Sequence, residues 1–200
     1  RNKMQDPKMG ATNLKISRRG LGTMNFGIRT DEAESFCVMD AALEAGINLF
    51  DTGNNYGKFI GKEGITETII GRWLAQGGGR RERVILTTKV YEDMKNPYDG
   101  PNSEPGLTRY KIRRHLKESL ERLQTDHLEI YFLHHIDREL NLEEVIDTFS
   151  YLVMQGTVDY MATSNFPGWA LADIAAAARE RKIFGPICEE HKYNLCCRLP

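Results

Sequence analysis

The feature that most constrains this chain is an alternation: short apolar strand-like runs and helix-period segments follow one another, with no hairpin signal joining strand to strand. Strands joined through helices run parallel, because the crossover returns the chain to the same end of the sheet. That leaves a parallel barrel or an open doubly wound sheet. Ser17 to Gly22 reads as a short first strand. Asp31 to Ala45 reads as a helix, opened by a capping-box-like Asp31 and Glu34, with Phe36, Met39 and Leu43 at helical spacing, and ended by Gly46. Ile47 to Asp51 is the second strand. Thr66 to Gln76 is a helix with Ile69, Ile70, Trp73 and Leu74 on one face, broken by Gly77-Gly78-Gly79, and Val84 to Lys89 is the third strand. The loop Tyr91 to Gly106 holds Pro97, Pro101 and Pro105 and reads as irregular. Helix Thr108 to Leu123, strand Leu128 to Leu133, helix Leu142 to Gln155 capped by Asn141, strand Val158 to Thr163, helix Trp169 to Arg181 and strand Ile187 to Glu190 complete the run.

A length of 200 residues suits one domain or slightly more. With 40% hydrophobic and 28% charged residues the chain is not a disordered one. A net charge of −1 gives no reason to expect nucleic acid or an anionic membrane surface as partner. No apolar run approaches the roughly 20 residues a membrane span needs. The N-terminus is polar, lacks the apolar core of a signal peptide, and begins with Arg1 instead of Met, which points to a start that is missing or processed. Cys37, Cys188, Cys196 and Cys197 form no C-x-x-C pair. Cys37 in its helix and Cys188 in its strand read as small hydrophobes, and all four as reduced, in keeping with a cytoplasmic protein.

Three of the strands end in chemistry. The second delivers Asp51 and then, within a loop, Tyr56; the third ends in Lys89; the fourth is followed by His134. Strand parity places Leu49 with Asp51, Thr87 with Lys89, and Phe132 with His134 on shared faces. If that face points into a barrel, the polar groups converge at its C-terminal mouth above an apolar floor. Each has a bland reading alone: Asp51 as a loop cap, Lys89 as a solvated cation, His134 as a satisfied core histidine. Their arrival together at successive strand ends favours a site. His134-His135 is a poor metal pair, because neighbouring strand side chains face opposite ways. Gly20-Leu21-Gly22-Thr23-Met24-Asn25-Phe26-Gly27 has the wrong spacing for a dinucleotide fingerprint and reads as a glycine-rich turn after the first strand. The run Gly57 to Glu63 is one residue short of a phosphate loop.

Such groups suit carbonyl reduction. Tyr56 is the candidate acid, although a free phenol has a pKa near ~10. A nearby Lys89 ammonium favours the phenolate and eases the donation. Asp51 holds Lys89 and balances its charge, and His134 donates a hydrogen bond to the substrate oxygen.

The chain resembles an aldo-keto reductase from about Met9 to its end. The resemblance rests on Gly20-Leu21-Gly22-Thr23-Met24, on Glu44 through Thr52 continuing to Tyr56-Gly57, on Thr88-Lys89, and on Ser119 to Leu123. It continues through Leu133-His134 with Asp137, Gln155-Gly156, Thr163 to Phe166, and Tyr193-Asn194. It implies a (β/α)8 TIM-type barrel, NADPH bound without a Rossmann fold, and a catalytic tetrad of Asp51, Tyr56, Lys89 and His134. It further implies that Ser164 and Asn165 hold the nicotinamide carboxamide and that Thr23 and Met24 line the same site. Glu190 stands where the family usually has a Gln that also contacts the carboxamide. About six of the eight strand-helix units are recognisable, so residues 1–200 read as one barrel domain lacking its seventh and eighth units, which carry the 2′-phosphate pocket in the family. The expected substrate is a small carbonyl compound, shaped by the loop from Tyr91 to Gly106. A second expectation, from another class, is a non-catalytic module that binds or senses cofactor.

Overall fold

The computed structural model describes residues 6–139 and 141–198. Its strands are β1 (Gly20–Gly22), β2 (Leu49–Asp51), β3 (Ile85–Val90), β4 (Leu128–Leu133), β5 (Val158–Ser164) and β6 (Glu189–Glu190). Its helices are α1 (Glu32–Glu44), α2 (Ile65–Leu74), α3 (Arg80–Arg83), α4 (Arg109–Leu123), α5 (Leu142–Met154) and α6 (Gly168–Glu180). The strands form one six-stranded sheet in sequence order, and each neighbouring pair is parallel. The sheet curls into part of a (β/α)8-type barrel, open between β1 and β6 among the described residues. None of the described helices is long and apolar enough to cross a membrane.

Capping sets where helices begin. Asp31 Oδ1 accepts from the Glu34 N–H at 2.9 Å, Thr108 Oγ1 from Lys111 at 3.2 Å, and Asn141 Oδ1 from Glu143 and Glu144 at 3.0 and 3.2 Å. Each cap is worth about 1 kcal/mol. The apolar faces of the helices then cover the outer surface of the sheet. Trp73, Ile70, Ile112 and Val145 are fully buried there with Phe50, Leu86, Tyr131 and Leu133. Removing such a side chain from water contributes roughly 1.5–3 kcal/mol.

Register decides the inner face. Asp51 lies opposite Thr87, Lys89 opposite Phe132, and Phe132 opposite Ala162. With a period of two, these residues and Ile130 share the concave side. Ile130, Phe132 and Ala162 form a small inner core, packed by Ile85, Ile187 and Cys188 and plugged from below by Met9 and Leu14. The plug is a local antiparallel turn, bridged at Lys8 and Lys15, with Gly10 at φ 53°, where a Cβ would meet the Ile187 carbonyl oxygen at 2.3 Å.

Several boundaries differ from the sequence reading. The first strand covers Gly20–Gly22 only, and the second begins at Leu49. Ser17 and Asn48 explain both: the Ser17 N–H donates to Asn48 Oδ1 at 2.7 Å and the Asn48 N–H to Ser17 Oγ at 3.0 Å, so side chains replace ladder bonds. The run from Gly20 therefore begins as the strand itself, with the turn following it. The last strand is two residues long. Helix α3 was not anticipated. The three glycines before it all have positive φ, and Arg81 is held by Thr125, the His127 carbonyl and Glu129 at 2.9–3.0 Å. The proline-containing loop includes a 3-10 turn at Gly100–Asn102. Cys37 is exposed on α1 and does not act as a buried hydrophobe, whereas Cys188 lies against the inner core.

Candidate active site

The end of β2, the end of β3 and the residue after β4 come together at the C-terminal rim. Lys89 is 1% exposed, and its ammonium donates to Asp51 Oδ1 at 2.5 Å and to the Thr52 carbonyl at 2.9 Å. Asp51 Oδ1 also accepts from Thr87 Oγ1 at 2.7 Å. Glu190 Oε2 lies 3.3 Å from the same ammonium. The Tyr56 ring centroid is 5.4 Å from Lys89 Nζ, and the His134 ring stands edge-on to it at 6.2 Å. The loop that carries Tyr56 is shaped by glycines. Gly57 has φ 107°, and a Cβ on it would meet the Lys62 carbonyl oxygen at 2.0 Å. A Cβ on Gly53 would press on the Tyr56 ring at 3.0 Å.

Burial dominates the electrostatics. It is the largest single influence on Lys89 and opposes the charge, but Asp51, Tyr56 and Glu190 together outweigh it, and the ammonium stays above its ordinary range. Burial pushes the Tyr56 phenol up; Lys89 pulls it down, and Asp51 and Glu190 add to the rise. The easing effect expected of Lys89 is thus present but outweighed, because the phenolate would sit in a poorly solvated site. Burial, then Lys89, then His135 bring His134 down to about 3, so its imidazole is neutral at physiological pH. A neutral imidazole can still donate one N–H.

His134 and His135 do not point to opposite faces. Their rings stack with centroids 4.5 Å apart. Strand β4 ends at Leu133, so strand alternation no longer governs the pair. His135 stands edge-on to Tyr91 at 5.3 Å.

The residues expected to meet a cofactor lie around the same mouth. Thr23 is buried and binds the Asp51 carbonyl with both its N–H and Oγ1, at 3.1 and 2.8 Å. Met24 is 54% exposed. Ser164 Oγ donates to the Glu190 carbonyl at 2.9 Å. Asn165, at φ 59°, donates its amide to the His134 carbonyl at 3.1 Å and to Ser164 Oγ at 3.0 Å. Its amide N–H groups are thus used, and its carbonyl oxygen remains as an acceptor. Together with the Glu190 carboxylate it fits the NH₂ half of a carboxamide. The Glu190 side chain turns toward Lys89. A cavity of about 330 Å³, lined among others by Gly22, Asp51, Thr87, Phe132 and Glu190, opens beneath these groups. A wider groove of about 1050 Å³ lies outside the barrel, along α4 and the end of α5, and contains none of them.

Sequence reading missed two buried supports. Glu67, fully buried on α2, accepts from Thr88 Oγ1 at 2.5 Å and from Arg122 Nε at 2.7 Å, and so braces the strand next to Lys89. The Asn54 amide, three residues after Asp51, lies 3.3 Å from His115 Nδ1, whose Nε2 faces Asp99 at 3.4 Å. The amide donates to Nδ1, which places the ring proton on Nε2. Only the apolar spacing of α4 hinted at His115, because its partners lie far along the chain.

The model of the family described as Aldo/keto reductase family matches residues 19–200. An uncharacterized oxidoreductase of Bacillus subtilis (strain 168), YrpG, is 53% identical over 193 residues, which cover 96% of this chain and 59% of that relative. The chain therefore spans less than two thirds of the length of this relative.

Proposed function

The chain belongs to the aldo/keto reductase family, and on that premise we propose that it is an oxidoreductase that reduces an aldehyde or ketone to an alcohol with NADPH. The observation that carries this reading is the buried Asp51–Lys89 pair set beside the Tyr56 ring, with a neutral His134 across from it. Bound NADPH would supply a hydride to the carbonyl carbon. As that bond forms, the C=O electron pair moves to oxygen, and the Tyr56 hydroxyl gives its proton to that oxygen. The Lys89 ammonium stabilises the phenolate that remains, and solvent reprotonates it. Asp51 keeps Lys89 charged and in place. His134 donates its N–H to the substrate oxygen and so orients the carbonyl. Ser164, Asn165 and Glu190 would hold the carboxamide, with Thr23 and Met24 beside them. The substrate is a small carbonyl compound, and the site belongs to one domain of a cytoplasmic protein.

Tyr56→Phe in the full chain tests the assignment. The ring and its packing remain, while the proton source is lost. Reductase activity should fall ~10²–10⁴-fold with cofactor binding retained. Activity within a few-fold of the parent would show that the phenol is not the acid.

A further inference from the structure

One charge at the mouth has no part in the proton transfer described above. Lys89 carries a single positive charge, yet two carboxylates reach it, Asp51 at 2.5 Å and Glu190 at 3.3 Å. The other elements around the mouth do not cancel the excess. Strand β1 offers Gly20 and Gly22, β5 ends in Ser164, and His134 is neutral. The neighbouring Glu189 turns away, accepting from the Phe166 N–H at 3.0 Å and facing His191 at 3.3 Å. With both carboxylates ionised, Asp51, Lys89 and Glu190 sum to one net negative charge beside the Tyr56 phenol; burial, then Asp51, push the Glu190 carboxyl up from its ordinary range. The Glu190 backbone is anchored, since its carbonyl accepts from Ser164 Oγ at 2.9 Å and from the Asn165 N–H at 3.1 Å. Its carboxylate is held over the mouth by position on β6.

We infer that Glu190 is a positioning residue for the proton transfer: its carboxylate shares the Lys89 ammonium with Asp51 and keeps the Tyr56 hydroxyl in its protonated form. The inference rests on the reading of Tyr56 as the acid. The physical reason is direct. An ammonium drawn toward a second carboxylate stabilises a phenolate less, and the added negative charge opposes the phenolate itself. Burial is the first cause of the raised Tyr56 phenol, and Glu190, the smallest of the named causes, acts in the same direction. The consequence is kinetic, since a residue cannot move the overall equilibrium. Reduction draws on the phenol, and alcohol oxidation draws on the phenolate. Glu190 therefore keeps the phenolate fraction that alcohol oxidation draws on small at neutral pH. Its side chain is 46% exposed, so salt should weaken the effect.

The test is Glu190→Gln in the full chain, which removes the charge with almost no change in shape. In cofactor-free protein carrying ¹³Cζ-labelled tyrosine, the Tyr56 resonance is identified by its loss in Tyr56→Phe. That resonance should titrate at lower pH in Glu190→Gln than in the parent, and the difference should shrink in high salt. Glu190→Asp, which keeps the charge, should return the titration toward the parent. Alcohol oxidation near neutral pH should rise roughly threefold in Glu190→Gln, the scale of a half-exposed charge pair. Glu190→Ala makes the same comparison if the Gln protein does not fold. An unmoved Tyr56 titration in a folded, uncharged variant would overturn the role of Glu190 alone. Full reductase activity in Tyr56→Phe would instead overturn the proposed function, so the two failures are told apart.

Discussion

The Lys89 ammonium lies 2.5 Å from the Asp51 carboxylate at the end of the neighbouring strand, with the lysine only 1% exposed. Parallel pairing makes this contact: Asp51 sits opposite Thr87, and Lys89 is one inward-facing step further along β3. A cation this deep needs its counter-charge, because removing one partner leaves the other charge buried and unpaired. Asp51→Asn should therefore cost about 3 kcal/mol in chemical denaturation. A loss well below about 1 kcal/mol would mean that Glu190 alone can balance Lys89.

The glycines of the β2 loop separate packing from backbone strain. At Gly53 a Cβ would meet the Tyr56 ring at 3.0 Å, with φ in the ordinary range. Gly53→Ala should displace the ring and lower kcat, at a stability cost under about 1 kcal/mol. At Gly57 a Cβ would lie 2.0 Å from the Lys62 carbonyl oxygen at φ 107°. Gly57→Ala should destabilise by at least about 1–3 kcal/mol. Melting temperatures and steady-state kinetics on both variants check the split, and equal effects on stability would contradict it.

Protonation of His134 should appear in the acid stability of the fold. In the folded protein, burial, then Lys89, then His135 hold this imidazole down to about 3, against about 6.5 when unfolded. Between those values the unfolded chain binds the extra proton. The contribution of His134 is thus fully present above about pH 6.5 and is lost as pH falls toward the folded value. His134→Gln should flatten the fall of melting temperature over that window. His115 is also lowered, by burial first, and keeps part of the slope in the variant. An unchanged slope would mean that His134 is not held neutral by its site.

Glu190→Gln should bind nicotinamide cofactor at least as tightly as the parent. An ionised carboxylate accepts from the carboxamide NH₂ but cannot donate to its carbonyl, whereas an amide does both. Fluorescence titration of NADPH in the full chain reads this separately from the Tyr56 titration. A clear loss of affinity would show that the carboxylate itself is what the ligand needs.

Local chemistry in the sequence was enough to read the strand and helix succession apart from α3, the helix caps at Asp31 and Asn141, and the arrival of Asp51, Lys89 and His134 at strand ends. Those features depend on residues within a few positions of one another, where periodicity, capping and turn chemistry act. The tertiary structure decided what depends on pairing across the chain. It shortened β1 and β2 through the Ser17–Asn48 exchange, 31 residues apart. It stacked His134 on His135 once the strand had ended. It joined Asn54 to His115 and Glu67 to Arg122, pairs 61 and 55 residues apart. It also turned Glu190 inward onto Lys89 and left Tyr56 raised instead of eased. Charge sharing and desolvation are set by which groups the curled sheet brings to one mouth, and no spacing along the chain encodes that.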